Sequence, residues 1–214
     1  TQQKTKGKIK MIKKLFILLL SSLISSTVVV ADMTSEKLMT AANGSHRSQA
    51  NIDRNASRHP VETLSWFGIK DNMTVIEISP GGSGWYTEVL APFLRDNGKF
   101  YAASFNRDSK VGYYRKNAQK FLDKLAANPE VYDKVMVTEF EIGAKPDLEP
   151  QGQADMVVTF RNNHNWLNGD IAEPTYQSIF KVLKSGGILG VVQHRGLPHM
   201  IGKEWSKKGY VPES

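Results

Sequence analysis

From residue 73 onward, short apolar runs and amphipathic stretches take turns along the chain. Residues 73–78 make a short, mostly β-branched run bounded by Asp71-Asn72 and Pro80-Gly81, and predict a buried strand. Residues 85–94 follow as a helix with Val89, Leu90 and Phe93 inward, and Pro92 is expected to distort its last turn. Further strands are predicted over 99–105, 135–137, 154–160 and 188–193, and further helices over 108–127 and 171–184. Ser185-Gly186-Gly187 reads as the stop of the last helix. Ahead of this alternation, residues 34–67 read as helical, amphipathic near Val61, Leu64 and Phe67, with Pro60 suited to a first turn. Strands apolar on both faces and separated by helices predict a doubly wound, mostly parallel α/β sheet of Rossmann-like type.

The formal charge of +7 changes this picture little. Residues 1–31 hold six lysines and no acid, so the rest carries 22 basic against 21 acidic residues. A near-neutral body gives no reason to expect a nucleic acid partner. The segment 11–31 has Lys13-Lys14, then an apolar run from Leu15, then Val29-Val30-Ala31. It reads as a secretory signal peptide cut between Ala31 and Asp32, which predicts an exported protein with no membrane attachment after cleavage. The domain layout expected is 1–31 upstream residues and signal, 32–67 helical segment, 68–200 α/β domain and 201–214 tail. The chain has no cysteine, which excludes disulfides and thiolate chemistry. The histidines lack the spacing of a metal-binding pattern, so no metal is expected.

The most informative stretch runs from Val75 to Leu90, where a strand ends near an acid, the chain turns through Gly81-Gly82-Ser83-Gly84, and a helix begins. Glycines admit close approach of a ligand, and the helix start offers unpaired N–H groups. The spacing is neither Gly-x-Gly-x-x-Gly nor a Gly-Lys-Ser/Thr phosphate loop. Glu77, four residues before the first glycine, suits a cationic cofactor and disfavours a pyrophosphate. That points to S-adenosylmethionine, with Glu77, Gly81, Gly82 and Gly84 as binding residues. The plainer reading is a solvated strand end and an ordinary tight turn.

Arg58-His59-Pro60, Trp66-Phe67-Gly68, Pro80-Gly81-Gly82, Gly84-Trp85-Tyr86-Thr87-Glu88, Phe160-Arg161-Asn162, His164-Asn165-Trp166 and His194-Arg195 together resemble a group of bacterial class I methyltransferases, many of them exported. The resemblance covers about two thirds of the chain, from Arg58 to Arg195. It implies methyl transfer from S-adenosylmethionine as the reaction type and no particular substrate, a small molecule being the acceptor expected, and Ser79, Tyr86 and Phe160 join the candidate cofactor set. Class I enzymes usually end the second strand in an acid that binds the ribose; Ser104 and Asn106 stand there instead, as weaker ligands. Seven strands are usual for the class, and five are counted here, so the closing hairpin is expected to be missing and the chain reads as truncated.

The resemblance places the polar run after the fourth strand against the transferred methyl. Methyl transfer needs alignment of donor and acceptor and, for some acceptors, removal of a proton. Asn162 and His164 are the candidates for those tasks, and Trp166 for walling the pocket. Arg161, His194 and Arg195 share the rim and are candidate substrate contacts. For Asn163 and Asn165 a structured polar loop is the plainer reading. Two other functions share the fold: a non-catalytic exported binding protein, and an NAD-dependent oxidoreductase, whose fingerprint is absent.

Overall fold

A computed structural model describes residues 33–197, 199–200 and 203–212, and the signal peptide expected over 11–31 lies outside them. Five strands form one parallel sheet: β1 (Thr74–Ile78), β2 (Lys99–Ser104), β3 (Val135–Glu139), β4 (Ala154–Phe160) and β5 (Leu183–Val192). Their order is β3-β2-β1-β4-β5. The chain runs outward from β1 to β3, then returns to lay β4 on the other side of β1. The switch point therefore lies between β1 and β4, where open α/β sheets hold ligands beyond the carboxyl ends of the strands.

Alternation along the strands builds two cores. Val75, Phe100, Ala102, Met156 and Val158 face one side, with Leu38, Leu64, Leu90 and Phe121 from the helices. Ile76, Ile78, Ala103 and Val157 face the other, with Trp166, Ile179 and Val182. The helices packed there are α5 (Thr87–Leu94), α6 (Gly112–Ala126), α8 (Asn163–Asn168) and α9 (Ala172–Val182), in the order that the apolar spacing predicts apart from α8. No helix of the described residues is long and apolar enough to cross a membrane.

Besides α8, the structure departs from the sequence reading in four places up to β5. The helical stretch 34–67 is broken into α1 (33–42), α2 (Gln49–Asp53), α3 (Asn55–Arg58) and α4 (Pro60–Trp66). The sharpest break is His59, at φ 44°, because the residue before a proline is pushed out of helical space. Helix α6 begins at Gly112 because Asn106 Oδ1 accepts from Asp108 N–H at 2.9 Å and Ser109 Oγ from Val111 N–H at 3.0 Å, turning the chain first. A short α7 (Pro129–Tyr132) precedes β3. Finally, α9 stops at Val182, and Leu183 already pairs with Ala154 before 184–187 loop out and Ile188 resumes opposite Met156.

Beyond β5, β6 (His194–Arg195) pairs in parallel with β7 (Tyr210–Val211). The helix between them, α10 (Lys203–Lys207), lies against α8. No described strand pairs with the outer edge of β5.

Candidate functional site

A cleft of about 570 Å³ opens at the carboxyl ends of β1, β2, β3 and β4. That is room for a nucleoside-sized ligand. Five aromatic rings, Phe105, Tyr113, Tyr114, Phe140 and Trp166, stand on its walls, and Phe105 and Tyr114 stack 3° from parallel at 4.6 Å. Ser79, Gly81, Asn162 and Glu141 bring polar groups to it. Of the site residues read from the sequence, the structure brings Ser79, Gly81, Asn162 and Trp166 to the cleft together.

Two strained backbones frame the switch point. Ser79 has φ 51° just past β1, and Arg161 has φ 63° just past β4. Each costs about 1 kcal/mol or more for a side-chain-bearing residue. The Asn162 amide ties the two strand ends together, donating to the carbonyls of Ile78 at 3.2 Å and Ser79 at 3.4 Å and to Thr159 Oγ1 at 3.0 Å. Its donors are spent on the protein, so its carbonyl oxygen is what it offers a ligand.

Glu77 is not in the cleft. Strand alternation turns it toward α5, where it is 2% exposed and its Oε2 accepts from Thr87 Oγ1 at 2.6 Å. Burial raises its carboxyl to about 7, and the Thr87 hydroxyl opposes the rise. The expected contact with a cationic cofactor is therefore corrected: spacing along the chain put Glu77 near the loop, and the period of two put it on the wrong face. Its role is to fasten β1 to the first turn after the glycine loop.

The glycines divide similarly. Gly81, at φ 69°, faces open space at the cleft. A methyl at Gly82 would sit 2.8 Å from Asn117 Oδ1, and one at Gly84 would sit 2.8 Å from Phe121, so both let α6 pack close. Tyr86 and Phe160, expected to touch the cofactor, stack on each other instead, 3.4 Å apart and 6° from parallel. Tyr86 Oη donates to the Arg58 carbonyl at 3.2 Å. Ser104 borders a separate cavity of about 200 Å³ between α6 and β3, and Asn106 serves its own turn.

The Trp85-Tyr86-Thr87-Glu88 stretch proves to be a clamp for the N-terminal helices. The Arg47 and Arg58 guanidinium groups each lie 4.6 Å from the Trp85 ring, and Trp85 Nε1 donates to the Asn51 carbonyl at 3.2 Å. Buried Glu88 receives Arg47 at 3.0 Å, the Asn51 amide at 3.0 Å and the Lys124 ammonium.

Past β4, His164 Nδ1 lies 3.2 Å from Gln193 Oε1, while Gln193 Nε2 donates to the Gly209 carbonyl at 2.6 Å. The amide so oriented presents only an acceptor to the ring, which puts the proton on Nδ1 and leaves Nε2 basic. Arg161, His194 and Arg195 are exposed on the rim, outside the cleft walls.

Sequence reading missed Glu141. Its Oε1 accepts from Ser109 Oγ at 2.8 Å, and its Oε2 is buried without a hydrogen-bond partner among the described residues. An orphaned carboxylate oxygen in a ligand-sized cleft is an acceptor awaiting a donor. The available signal was its position just past the carboxyl end of β3, in a stretch rich in acids.

No family model and no curated relative matches the chain. Among solved structures it is similar to an S-adenosylmethionine-dependent methyltransferase from Aquifex aeolicus, at 17% identity over 80% of this chain and 79% of that one, with a TM-score of 0.53. It is also similar to the glycopeptide N-methyltransferase MtfA, at 18% identity over 62% of this chain and 51% of that one, with a TM-score of 0.46. The likeness to the first is one of fold: the five-stranded parallel sheet with helices on both faces is the Rossmann-like fold of class I methyltransferases.

Proposed function

We propose that the cleft binds S-adenosylmethionine and that the protein transfers its methyl group to a small-molecule acceptor. The observation that carries this reading is the unpartnered Glu141 oxygen in an aromatic-walled cleft at the switch point of this fold. Glu141 accepts a hydrogen bond from a hydroxyl or amino group of the adenosine, the task that an acid at the end of β2 usually has. Ring faces at Phe105, Tyr113, Tyr114 and Trp166 exclude water and favour a flat base and a positively charged sulfur. Gly81 lets the ligand approach the backbone closely.

The cofactor supplies a methyl on a sulfonium, which the acceptor displaces directly. The protein's part is alignment, with the Asn162 carbonyl available to orient the acceptor and His164 Nε2 to accept its proton. The signal read over residues 11–31 makes this an exported protein, a reading that N-terminal sequencing of the secreted form tests at Ala31-Asp32.

Calorimetry with S-adenosylhomocysteine tests the central claim. Binding is expected for the folded protein, and Glu141→Ala is expected to weaken it about tenfold, the worth of one charge-assisted hydrogen bond. A folded sample that gives no heat at millimolar ligand overturns the reading.

A further inference from the structure

Arg161 sits in backbone geometry made for glycine, φ 63°, and its side chain is exposed beside the cleft. Its N–H is held by the Val192 carbonyl at 2.7 Å, so the conformation is enforced by the sheet. Stability alone favours glycine at such a position, and an arginine kept there against that preference points to a task.

Other cations gather at the same rim. The Tyr86–Phe160 stack links Arg58, whose carbonyl takes the Tyr86 hydroxyl at 3.2 Å, to Arg161, next in chain to Phe160. Gln193, the residue before His194, holds the His164 ring at 3.2 Å. Among the described residues, no carboxylate forms an ion pair with Arg54, Arg58, Arg161, His164 or His194. Their proximity is felt electrostatically. Burial lowers the Arg58 pKa first, and Arg54, Arg161 and Arg47 add to this, while Tyr86 opposes it. Burial likewise lowers His194, helped by Arg161 and His164.

We propose that the rim formed by Arg161 and Arg58 binds the oxyanion of the methyl acceptor, making that acceptor a small molecule with a carboxylate or phosphate group. This rests on the methyl-transfer reading for the word acceptor, and on the rim itself for the anion. Guanidinium groups that no described carboxylate neutralises, Arg58 resting on the Trp85 ring at 4.6 Å and Arg161 exposed, match a planar carboxylate or a phosphate through two-pronged hydrogen bonds. The oxyanion anchors the molecule at the rim while its reacting atom enters the cleft past Asn162.

The test is titration with inorganic phosphate and with succinate, at fixed ionic strength, following the imidazole NMR signals of His164 and His194. Saturable shifts are expected for the native protein. Arg161→Gly is expected to weaken them at least about fivefold, and Arg58→Gln similarly. Because glycine suits the backbone at 161, Arg161→Gly is also expected to melt no lower than the native protein, which separates lost binding from lost folding. The tighter of the two anions tells phosphate esters from carboxylates. Shifts that fail to saturate with both anions, or Arg161→Gly binding within twofold of native, overturn the proposal. S-adenosylhomocysteine calorimetry on the same native sample keeps the readings apart. Heat without an anion response sinks only the oxyanion rim, and an anion response without heat sinks only the methyl-donor cleft.

Discussion

The carbonyl of Glu88 accepts a hydrogen bond from His46 Nε2 at 2.7 Å. Within α5 that carbonyl would ordinarily receive the N–H of residue 92, which is Pro92 and has none. A proline that looks like a defect in the helix is thus answered by a histidine 42 residues earlier. His46→Ala is expected to destabilise the protein by about 1–3 kcal/mol, because a buried carbonyl loses its partner. Urea unfolding measures this, and Pro92→Ala combined with His46→Ala should recover part of the loss. No recovery would mean that the ring acts by packing alone.

The Glu88 carboxylate predicts a larger effect. It is 2% exposed and is neutralised by Arg47, whose side chain is fully buried, and by Lys124. Arg47→Met strands part of that charge and is expected to cost about 3 kcal/mol. Arg47→Met with Glu88→Met, which removes both partners, should cost less than Arg47→Met alone. Denaturant midpoints for the three proteins decide it.

Glu77 gives the protein a pH signature. Its pKa is about 7 in the folded state, against an ordinary 4.5. The folded protein therefore holds a proton that the unfolded chain has released, and folding becomes less favourable as pH climbs from 4.5 to about 7. Across that window the loss attributable to Glu77 is about 3 kcal/mol, and above it no more is lost. Glu77→Gln keeps the Thr87 contact without the charge. It should match the native protein near pH 4 and exceed it at pH 8, in melting curves taken across the range. Parallel curves would show that Glu77 is not the group concerned.

Gly81 and Gly84 separate strain from crowding. Both have positive φ, but a methyl at Gly81 meets nothing within 4 Å, while one at Gly84 meets Phe121 at 2.8 Å. Gly81→Ala is expected to cost about 1 kcal/mol from backbone alone. Gly84→Ala should cost about 2 kcal/mol more through overpacking against α6. Equal costs from chemical denaturation would remove the packing role.

The sheet was legible because its strands are short apolar runs, nearly continuous in the well-buried β1 and β4, and all five predicted runs became strands although the edge strands β3 and β5 are only partly buried. The glycine loop and the polar run after β4 were legible as places where that pattern stops. Which side of a strand a residue faces was less so: Glu77 and Ile78 are neighbours in sequence and lie in opposite cores. Tyr86 and Phe160 were noticed for their motif, yet their meaning depends on each other, across 74 residues. Glu141 carried no motif at all. It matters because folding buries one of its oxygens and pairs only the other, a property of three dimensions. Helix α8 was hidden by asparagines, whose turn preference is overridden by packing of Trp166 into the core.

The Gln193 amide joins two distant parts of the chain through three contacts. One end grips Gly209, in the turn between α10 and β7, and the other sets which nitrogen of His164 carries a proton. Lifting the 203–212 stretch off α8 removes the Gly209 anchor and leaves the amide held through its oxygen alone, by the His164 ring at 3.2 Å and the His164 N–H at 3.4 Å. On the proposed role of His164 as a base, the far end of the described chain thereby steadies the group that sets where its proton sits.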